Sequence, residues 1–261
     1  MVSFKQRLIR EHNRAFKHWM RLLWRLYGSD APVVLMVHGF KPAPSDCKNA
    51  FELTGDSFGC LMHFFVDNGW EALSQKEVKL MMEQCRWRGK CFHVTFDDTY
   101  DTVFTEAYPV LKQYGIPFTM FVTKDLVDGP GYITMEHLMV LAHDPLCSIG
   151  GHGLQHLVFR NLTLEEMTKQ CVEGKRWLEQ ELGVKVDAFA FPYGRVVEVS
   201  NRNRRQMRKL GYELAFSAIE GSIRASWFTG RHFLPRVNVS ETFVEKFTAG
   251  KPLRYKDCEG R

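Results

Sequence analysis

Two adjacent carboxylates follow a short apolar run in the first half of the chain. Asp97 and Asp98 come directly after the run FHVTF at residues 92–96, in the stretch TFDDTYD. Two neighbouring carboxylates are costly unless a metal ion or another cation compensates their charge. For this pair alone, a turn with two solvated aspartates is the better interpretation, so a metal site requires further ligands at the same place.

Two histidines provide such candidate ligands. His152 and His156 follow the run CSIG at residues 147–150, in the stretch GGHGLQH. A spacing of four residues predicts that both imidazoles lie on one face of a helical turn. Two imidazoles and one carboxylate leave an open coordination position, which is the arrangement of hydrolytic zinc sites. The spacing also occurs by chance on surface helices, so the hypothesis depends on both groups following strand ends.

A turn and a lone histidine follow two other apolar runs. In the stretch FPYGR, Pro192 restricts φ and Gly194 permits close backbone approach, so the N–H of Tyr193 could hold an oxyanion. An ordinary turn is the alternative. His38 ends the run VVLMV. It is either a hydrogen-bonded core side chain or a titrating group at the mouth of a pocket, and both interpretations stay open.

The elements that would position these residues alternate along the chain. Strands are predicted at 33–37, 92–96, 117–122, 147–150, 187–191, 212–216 and 233–237. Helical patterns cover about 58–68, 75–87, 102–114, 134–143, 163–182 and 200–210. This alternation predicts an α/β fold with a parallel sheet. Seven such units predict an incomplete (β/α)7 barrel with its chemistry at the C-terminal strand ends.

Composition and charge restrict the class of protein. The chain of 261 residues contains no apolar run of about 18 residues, so no transmembrane helix is expected. Its seven cysteines show no CxxC spacing and indicate thiols in a reducing compartment. The net charge of +5 is carried by residues 1–30, which hold seven basic and two acidic side chains. The rest of the chain is neutral overall, which argues against a nucleic-acid-binding surface.

Three segments are predicted from these patterns. Residues 1–30 are predicted to form a basic amphipathic helix, residues 31–250 the α/β barrel domain, and residues 251–261 a loose tail. The helix is typical either of a membrane-surface anchor or of an ordinary helix packed against the barrel. The basic run NRNRRQMRK at residues 201–209 is a solvated helix face or a contact for an anionic glycan.

Taken together, the motifs resemble those of the NodB-homology polysaccharide deacetylases, carbohydrate esterase family 4. TFDD, HGLQH and FPYG resemble its three motifs in order and spacing, and the resemblance covers roughly residues 32–240. Most members carry a strand ending in histidine near the C terminus, whereas here VVLMVHGF precedes the aspartate pair. This order resembles the circularly permuted branch, which includes poly-N-acetylglucosamine deacetylases. The resemblance implies the (β/α)7 barrel of the NodB-homology type.

The resemblance also implies roles for individual residues. It implies one divalent ion, with Zn²⁺ expected and Co²⁺, Ni²⁺ or Mn²⁺ as alternatives. Asp97 would be the general base and His38 the acid that protonates the departing amine. The other implied assignments are metal binding by Asp98, His152 and His156, oxyanion binding by the N–H of Tyr193, and substrate contact by Phe191, Pro192, Tyr193 and Gly194.

The sequence departs from the family pattern at three places. Thr99 stands where glycine is usual, Gly153 where a hydroxyl residue is usual, and Ala190 where many members have arginine. Arg236, in the stretch LPRV, could supply the missing charge from the next strand and is therefore a further catalytic candidate. None of these departures removes a predicted metal ligand.

The expected function is removal of N-acetyl groups from an amino sugar in a cell-envelope glycan or its precursor. A deformylase or related amidase of the same fold, and an inactive glycan-binding relative, are the alternatives. The expected substrate is an N-acetylated amino sugar, with a lipid-linked form included. Residues 1–28 would contact the membrane from the cytoplasmic side, and no nucleic-acid partner is expected.

Overall fold

The computed structural model describes residues 31–47 and 51–249. The predicted N-terminal helix at 1–30 and the predicted tail at 251–261 lie outside the described residues, so the segment boundaries stay predictions. Within the described part of the chain, no helix is long and apolar enough to cross a bilayer.

Strands and helices alternate along the described residues. The strands are β1 Val33–Val37, β2 Phe40–Lys41, β3 Leu53–Thr54, β4 Glu71–Ala72, β5 Cys91–Phe96, β6 Phe118–Val122, β7 Cys147–Gly151, β8 Ala188–Ala190, β9 Leu214–Glu220 and β10 Leu234–Asn238. The α-helices are α1 Gly55–Asp67, α2 Gln75–Gln84, α3 Tyr108–Tyr114, α4 Met135–Ala142, α5 Leu164–Leu182, α6 Asn201–Lys209, α7 Ser226–Thr229 and α8 Glu241–Thr248. A π-helical segment, Val103–Ala107, precedes α3, and short 3-10 helices lie at Pro44–Asp46, Lys124–Leu126, Phe159–Asn161 and Ile223–Ala225.

Seven parallel strands form a closed barrel, which confirms the predicted (β/α)7 architecture. Their order is β1, β10, β9, β8, β7, β6 and β5, and β5 pairs again with β1. The closing pair runs in register from Val33 opposite Phe92 to Val37 opposite Phe96. Strand β1 therefore lies between β5 and β10, and the end of β1 is next to the end of β5.

One predicted strand is displaced along the chain. The sequence pattern predicted a strand at 212–216, but β9 begins at Leu214 and continues to Glu220. Gly211 adopts a left-handed φ of 75°, and the N–H of Tyr212 donates to the carbonyl of Met207. These two residues therefore complete the end of α6 and delay the start of the strand.

Alternation along β5 separates an outer layer from the barrel interior. Phe92, Val94 and Phe96 pack with the helices in the outer hydrophobic core. Successive strand residues point to opposite faces, so His93 and Thr95 point into the barrel, and Asp97 follows in the same alternation. All three are buried.

Helix α2 closes the N-terminal end of the barrel. Its residues Val78 and Met81 pack in one cluster with the interior residues Val34, Phe121 and Phe216. The preceding strand β4 pairs with the first residues of β5, which places α2 at the end where the barrel strands begin. The C-terminal strand ends, where the candidate catalytic residues lie, are at the other end.

Candidate active site

The structure brings the three predicted metal ligands together at the C-terminal end of the barrel. Oδ1 of Asp98 lies 3.2 Å from Nε2 of His152 and 3.0 Å from Nε2 of His156. One donor atom from each residue lies within 4.8 Å of the other two. His152 is buried, whereas Asp98 and His156 are partly exposed, so the cluster is accessible from one side.

The orientation of His152 fits a metal ligand. Its Nδ1 donates to the carbonyl oxygen of Ala190 at 2.7 Å, so Nε2 is the ring nitrogen that faces the cluster. Burial favours a lower pKa for His152, but the hydrogen bond with Asp98 and the carboxylate charges raise the pKa above its ordinary value. Two imidazole nitrogens and one carboxylate oxygen form a three-residue donor set that suits a divalent ion such as Zn²⁺.

The Asp98 carboxylate is strongly stabilised in its charged form. Burial favours a higher pKa, but hydrogen bonds from His152 and His156 and the nearby charge of His38 hold the pKa of Asp98 far below its usual range. Deprotonated carboxylate is the form that ligates a cation, so Asp98 has the protonation state that a ligand requires.

The two histidines do not share a helical turn, and that prediction is wrong. Residues 152–158 form an irregular loop after β7. Gly153 has a φ of 91°, which breaks a helical path directly after His152. Oε1 of Gln170 in α5 accepts hydrogen bonds from the N–H groups of Leu154 at 3.0 Å and Gln155 at 2.8 Å.

Gln170 therefore holds the loop that carries both histidines, and sequence reasoning missed it. Its side chain is buried on the apolar face of α5, beside Met167, Cys171 and Gly174. A glutamine on the buried face of an amphipathic helix requires hydrogen-bond partners. The position of Gln170 on the apolar face of the predicted helix was the feature of the sequence that could have identified its role.

Asp97 points into the barrel and pairs with Arg236. Nη1 and Nη2 of Arg236 donate to the two carboxylate oxygens of Asp97 at 2.7 and 2.6 Å. Burial favours a higher pKa for Asp97, but the Arg236 guanidinium holds this pKa below its usual value. Arg236 also donates to the hydroxyl of Thr95 and to the carbonyl of Ser217. Many family members have an arginine at the position of Ala190. Here Arg236 in β10 provides the positive charge beside the aspartate pair instead.

His38 lies at the same cluster, on the other oxygen of Asp98. Its Nε2 is 4.0 Å from Oδ2 of Asp98, and its ring makes an edge contact with Phe51 at a centroid distance of 4.9 Å. Its Nδ1 has no hydrogen-bond partner among the described residues. Burial lowers the pKa of His38, opposed by the charges of Asp98 and Asp97. These features match a side chain at a pocket and do not match a hydrogen-bonded core histidine.

The FPYG turn presents Tyr193 to the cluster. The Tyr193 ring is exposed and lies 4.6 Å from the ring of His156, measured between centroids. Its N–H makes no hydrogen bond to a described residue, so it is available as a donor. Gly194 has a φ of 60°, and a Cβ there would lie 2.5 Å from the backbone nitrogen of Ala218. Only glycine fits this close approach.

Phe191 and Pro192 anchor the turn in the hydrophobic core. Phe191 and Pro192 are buried, and the Phe191 ring packs against Phe159 and Phe189. Of the four residues predicted to contact substrate, Tyr193 alone is exposed. The Phe191 ring is part of the core, and substrate binding by Phe191, Pro192 and Gly194 stays a prediction.

Left-handed backbone conformations concentrate at this site. Six non-glycine residues among those described have positive φ, and three of them are Asp98 at 65°, Thr99 at 63° and Tyr193 at 61°. Such conformations are strained and persist where surrounding contacts enforce them. The Thr99 hydroxyl accepts a hydrogen bond from the buried N–H of Thr123 at 2.8 Å, which is one such contact.

The sequence model described as "Polysaccharide deacetylase" matches residues 86–215. This segment contains the aspartate pair, both clustered histidines and the FPYG turn. The chain belongs to the polysaccharide deacetylase family. The matched segment begins after β1. His38 therefore comes from a strand that precedes the matched motifs in the chain and closes the barrel beside them.

Individual relatives agree with this membership. The chain is 28% identical over 208 residues to the Bacillus subtilis protein YxkH, which carries the name of a polysaccharide deacetylase; the match covers 79% of this chain and 71% of that protein. It is 21% identical over 208 residues to a poly-β-1,6-N-acetyl-D-glucosamine N-deacetylase of Staphylococcus epidermidis, covering 75% and 70%. The solved structure of the Streptococcus pyogenes deacetylase PplD in complex with acetate has the same fold, with a TM-score of 0.75, 22% identity, and coverage of 85% and 99%.

Proposed function

We propose that this protein is a metal-dependent N-deacetylase that removes acetyl groups from an amino sugar in a cell-envelope glycan or its precursor. The observation that carries the proposal is the convergence of Asp98, His152 and His156, with donor atoms within 4.8 Å of one another. Asp97 and His38 flank this cluster from the neighbouring strands β5 and β1. Membership of a deacetylase family supports the reaction class.

Asp98, His152 and His156 would hold one divalent ion. When bound, such an ion lowers the pKa of water and polarises a carbonyl oxygen, which is the chemistry that amide hydrolysis needs. Zn²⁺ fits the donor set of two nitrogens and one oxygen, and Co²⁺, Ni²⁺ or Mn²⁺ are the alternatives.

The flanking residues would move the protons of the reaction. Asp97 is the general base that accepts a proton from the attacking water, and Arg236 keeps its carboxylate ionised at neutral pH. His38 donates a proton to the departing amine. These two groups approach Asp98 from different strands, as base and acid on opposite sides of a scissile bond must. The free N–H of Tyr193 donates to the developing oxyanion.

Exposed aromatic rings on either side of the cluster support a sugar substrate. Phe51 is 39% exposed beside His38, and Tyr193 is 49% exposed beside His156. Aromatic faces bind the apolar faces of pyranose rings, while polar groups fix their orientation. The name of the Staphylococcus epidermidis relative supports N-acetylglucosamine as the sugar.

We propose that the enzyme meets a lipid-linked substrate at the membrane surface. The support is the basic, aromatic pattern of residues 1–28, which is typical of helices in an anionic membrane interface on the cytoplasmic side. Deletion of residues 1–28 is expected to abolish co-sedimentation with anionic vesicles. Equal sedimentation of the two proteins would contradict this part of the proposal.

Product analysis tests the enzymatic activity. The purified protein is incubated with N-acetylated and N-formylated glucosamine oligosaccharides, and released acetate and formate are measured before and after chelation. We expect acetate release that chelation abolishes and added Zn²⁺ restores. Formate release without acetate would favour an amidase of the same fold. Glycan binding without any release would identify an inactive relative.

A further inference from the structure

A cluster of basic side chains covers the outer face of helix α6 and has no part in the proposed reaction. Between residues 195 and 211 the sequence has six basic side chains and one carboxylate, that of Glu198. Five exposed residues define what we call the basic surface: Arg160, Arg202, Arg205, Arg208 and Lys209.

The cations of the basic surface lack carboxylate partners in the described part of the chain. No carboxylate of residues 31–47 or 51–249 lies within 4.0 Å of any of the five, and Glu198 pairs with Arg195 instead. Arg204 lies beneath them, with its guanidinium 3.4 Å from the centroid of the Phe233 ring. Its Nε is buried and has no hydrogen-bond partner among these residues. Burial and the charge of Arg160 lower the pKa of Arg204 to about 10.

Helix stability does not explain the arrangement. Arg208 and Lys209 lie in the last turn of α6, where the helix dipole favours cations, but Arg202 lies at the opposite end, where cations are unfavourable. Arg205 is three residues from Arg202 and four from Lys209, and like charges at these spacings destabilise a helix. Arg202 donates to the carbonyl of Leu162 at 2.9 Å and Arg205 to that of Asn201 at 3.3 Å, but neither bond compensates their positive charges.

The basic surface begins at the loops that carry the catalytic cluster. Arg160 is four residues after His156, a distance that a chain spans in at most about 14 Å. Its N–H donates to the carbonyl of Glu198 at 2.8 Å, and its guanidinium donates to the carbonyl of Val196 at 2.7 Å. Both acceptors lie just after the turn that presents Tyr193. A polymer bound at the cluster can thus extend directly onto the basic surface.

We propose that the basic surface binds the phosphate or carboxylate groups of an anionic glycan whose N-acetylated sugar occupies the metal cluster. The inference rests on the proposed function, because it names the class of glycan on which that activity acts. Guanidinium groups bind both anions through paired hydrogen bonds. A neutral glycan would leave these cations uncompensated, whereas an anionic chain would relieve their mutual repulsion.

Binding measurements test the inference without requiring turnover. The full chain is titrated at low ionic strength with three probes of equal length: a neutral N-acetylglucosamine oligosaccharide, one carrying phosphodiesters, and one alternating with glucuronate. Arg202→Gln/Arg205→Gln is expected to bind the anionic probes about tenfold more weakly and the neutral probe unchanged. Its melting temperature should stay close to that of the wild type, because the relief of like-charge repulsion offsets the loss of the hydrogen bonds to Leu162 and Asn201.

The matched control is Lys76→Gln/Arg86→Gln, which removes two exposed charges from α2 and the residues that follow it, at the other end of the barrel. It should bind all probes as the wild type does. Equal wild-type affinity for neutral and anionic probes, or an equal loss in the control, would overturn the inference. The inference would also be overturned if Arg202→Gln/Arg205→Gln lost binding to anionic phospholipid vesicles but kept its affinity for the anionic glycan probes. Glycan binding through this surface without acetate release would contradict the proposed function alone.

Discussion

Asp98 connects all three histidines of the site through one carboxylate. Oδ1 contacts His152 and His156, and Oδ2 faces His38. The strand β5 ends at Phe96, and the left-handed φ of 65° at Asp98 turns its side chain away from the strand path. Local strain therefore directs this carboxylate, as is common where function determines the backbone.

Thr99 allows the strain and its compensation to be measured separately. Thr99→Gly relieves the positive φ but removes the acceptor for the buried N–H of Thr123. Thr99→Ala removes the same acceptor and keeps the strain. We expect Thr99→Ala to lower the free energy of unfolding by about 1 kcal/mol more than Thr99→Gly, as urea denaturation would measure. Equal losses would show that the backbone at this position is not strained.

His38 is predicted to act in the reaction and not in folding. Its ring is partly exposed, and its Nδ1 has no partner among the described residues, so His38→Ala removes no core hydrogen bond. We expect turnover to fall by about 10²–10⁴-fold, the usual effect of losing a general acid, with the melting temperature and the metal content retained. Near-normal turnover in this variant would remove His38 from the mechanism.

At the residue scale, the convergence of Asp98, His152 and His156 was predictable because the strand ends of a parallel barrel meet at one rim. The role of Gln170 was not predictable in this way, since it depends on which helix packs against the histidine loop. The bidentate pairing of Arg236 with Asp97 likewise depends on the strand order around the barrel. The spacing of residues along the chain reveals neither the role of Gln170 nor the pairing of Arg236 with Asp97.

Strands β5 and β10 flank β1, and the Asp97–Arg236 pair joins them across it. Both side chains are buried, so the pair links the proposed general base to the closure of the barrel. An element-level consequence is that changes at Asp97 affect stability as well as turnover, in contrast to changes at His38.

A double-mutant cycle measures this coupling. Asp97→Asn or Arg236→Met alone leaves a buried charge without its partner, which typically costs about 3–5 kcal/mol. We expect the double variant Asp97→Asn/Arg236→Met to lose clearly less stability than the sum of the single losses, by about 2 kcal/mol or more. Simple additivity in urea unfolding would contradict the buried pairing.

His93 makes the stability of the barrel depend on pH at the end closed by α2. It is buried with Nδ1 2.7 Å from the carbonyl of Leu73 and Nε2 3.0 Å from the Thr119 hydroxyl. Burial lowers the pKa of His93 to about 4, against about 6.5 in the unfolded chain. Between these values the unfolded chain binds a proton that the folded protein does not, so stability is lost as pH falls.

The expected loss from His93 is about 1.4 kcal/mol per pH unit below pH 6.5, in addition to other titrating groups. His93→Gln should show a correspondingly smaller decrease in the free energy of unfolding between pH 6.5 and 5. Parallel pH profiles for the two proteins would contradict a neutral, buried His93.

At the element scale, hydrophobic runs and their alternation with helical patterns predicted the seven barrel strands. The prediction of a helical turn at His152 and His156 was wrong because spacing alone does not encode the positive φ of Gly153 or the hydrogen bonds that Gln170 accepts. The start of β9 was misplaced because Gly211 and Tyr212 complete the preceding helix. In each case a side-chain or backbone contact overrides a local pattern.

The whole molecule separates its functions by position. Helix α2 closes one end of the barrel, and the proposed metal site lies at the other end. The basic surface extends from the loops around that site. The overall architecture was predictable from the order of elements and the family motifs. The closure of the barrel by β1, which brings His38 to the motifs, follows from pairing between strands far apart in sequence.

Metal content tests the central claim most directly. Bound zinc per chain is measured by elemental analysis for the wild type, Asp98→Asn and His156→Ala, with circular dichroism to verify folding. His63→Ala is the matched control, because His63 belongs to an exposed histidine–aspartate pair with Asp67 on helix α1. We expect about one ion per chain in the wild type and the control, and less than about a tenth of that in the two site variants. Full occupancy in folded Asp98→Asn and His156→Ala would contradict the assignment of this cluster as the metal site.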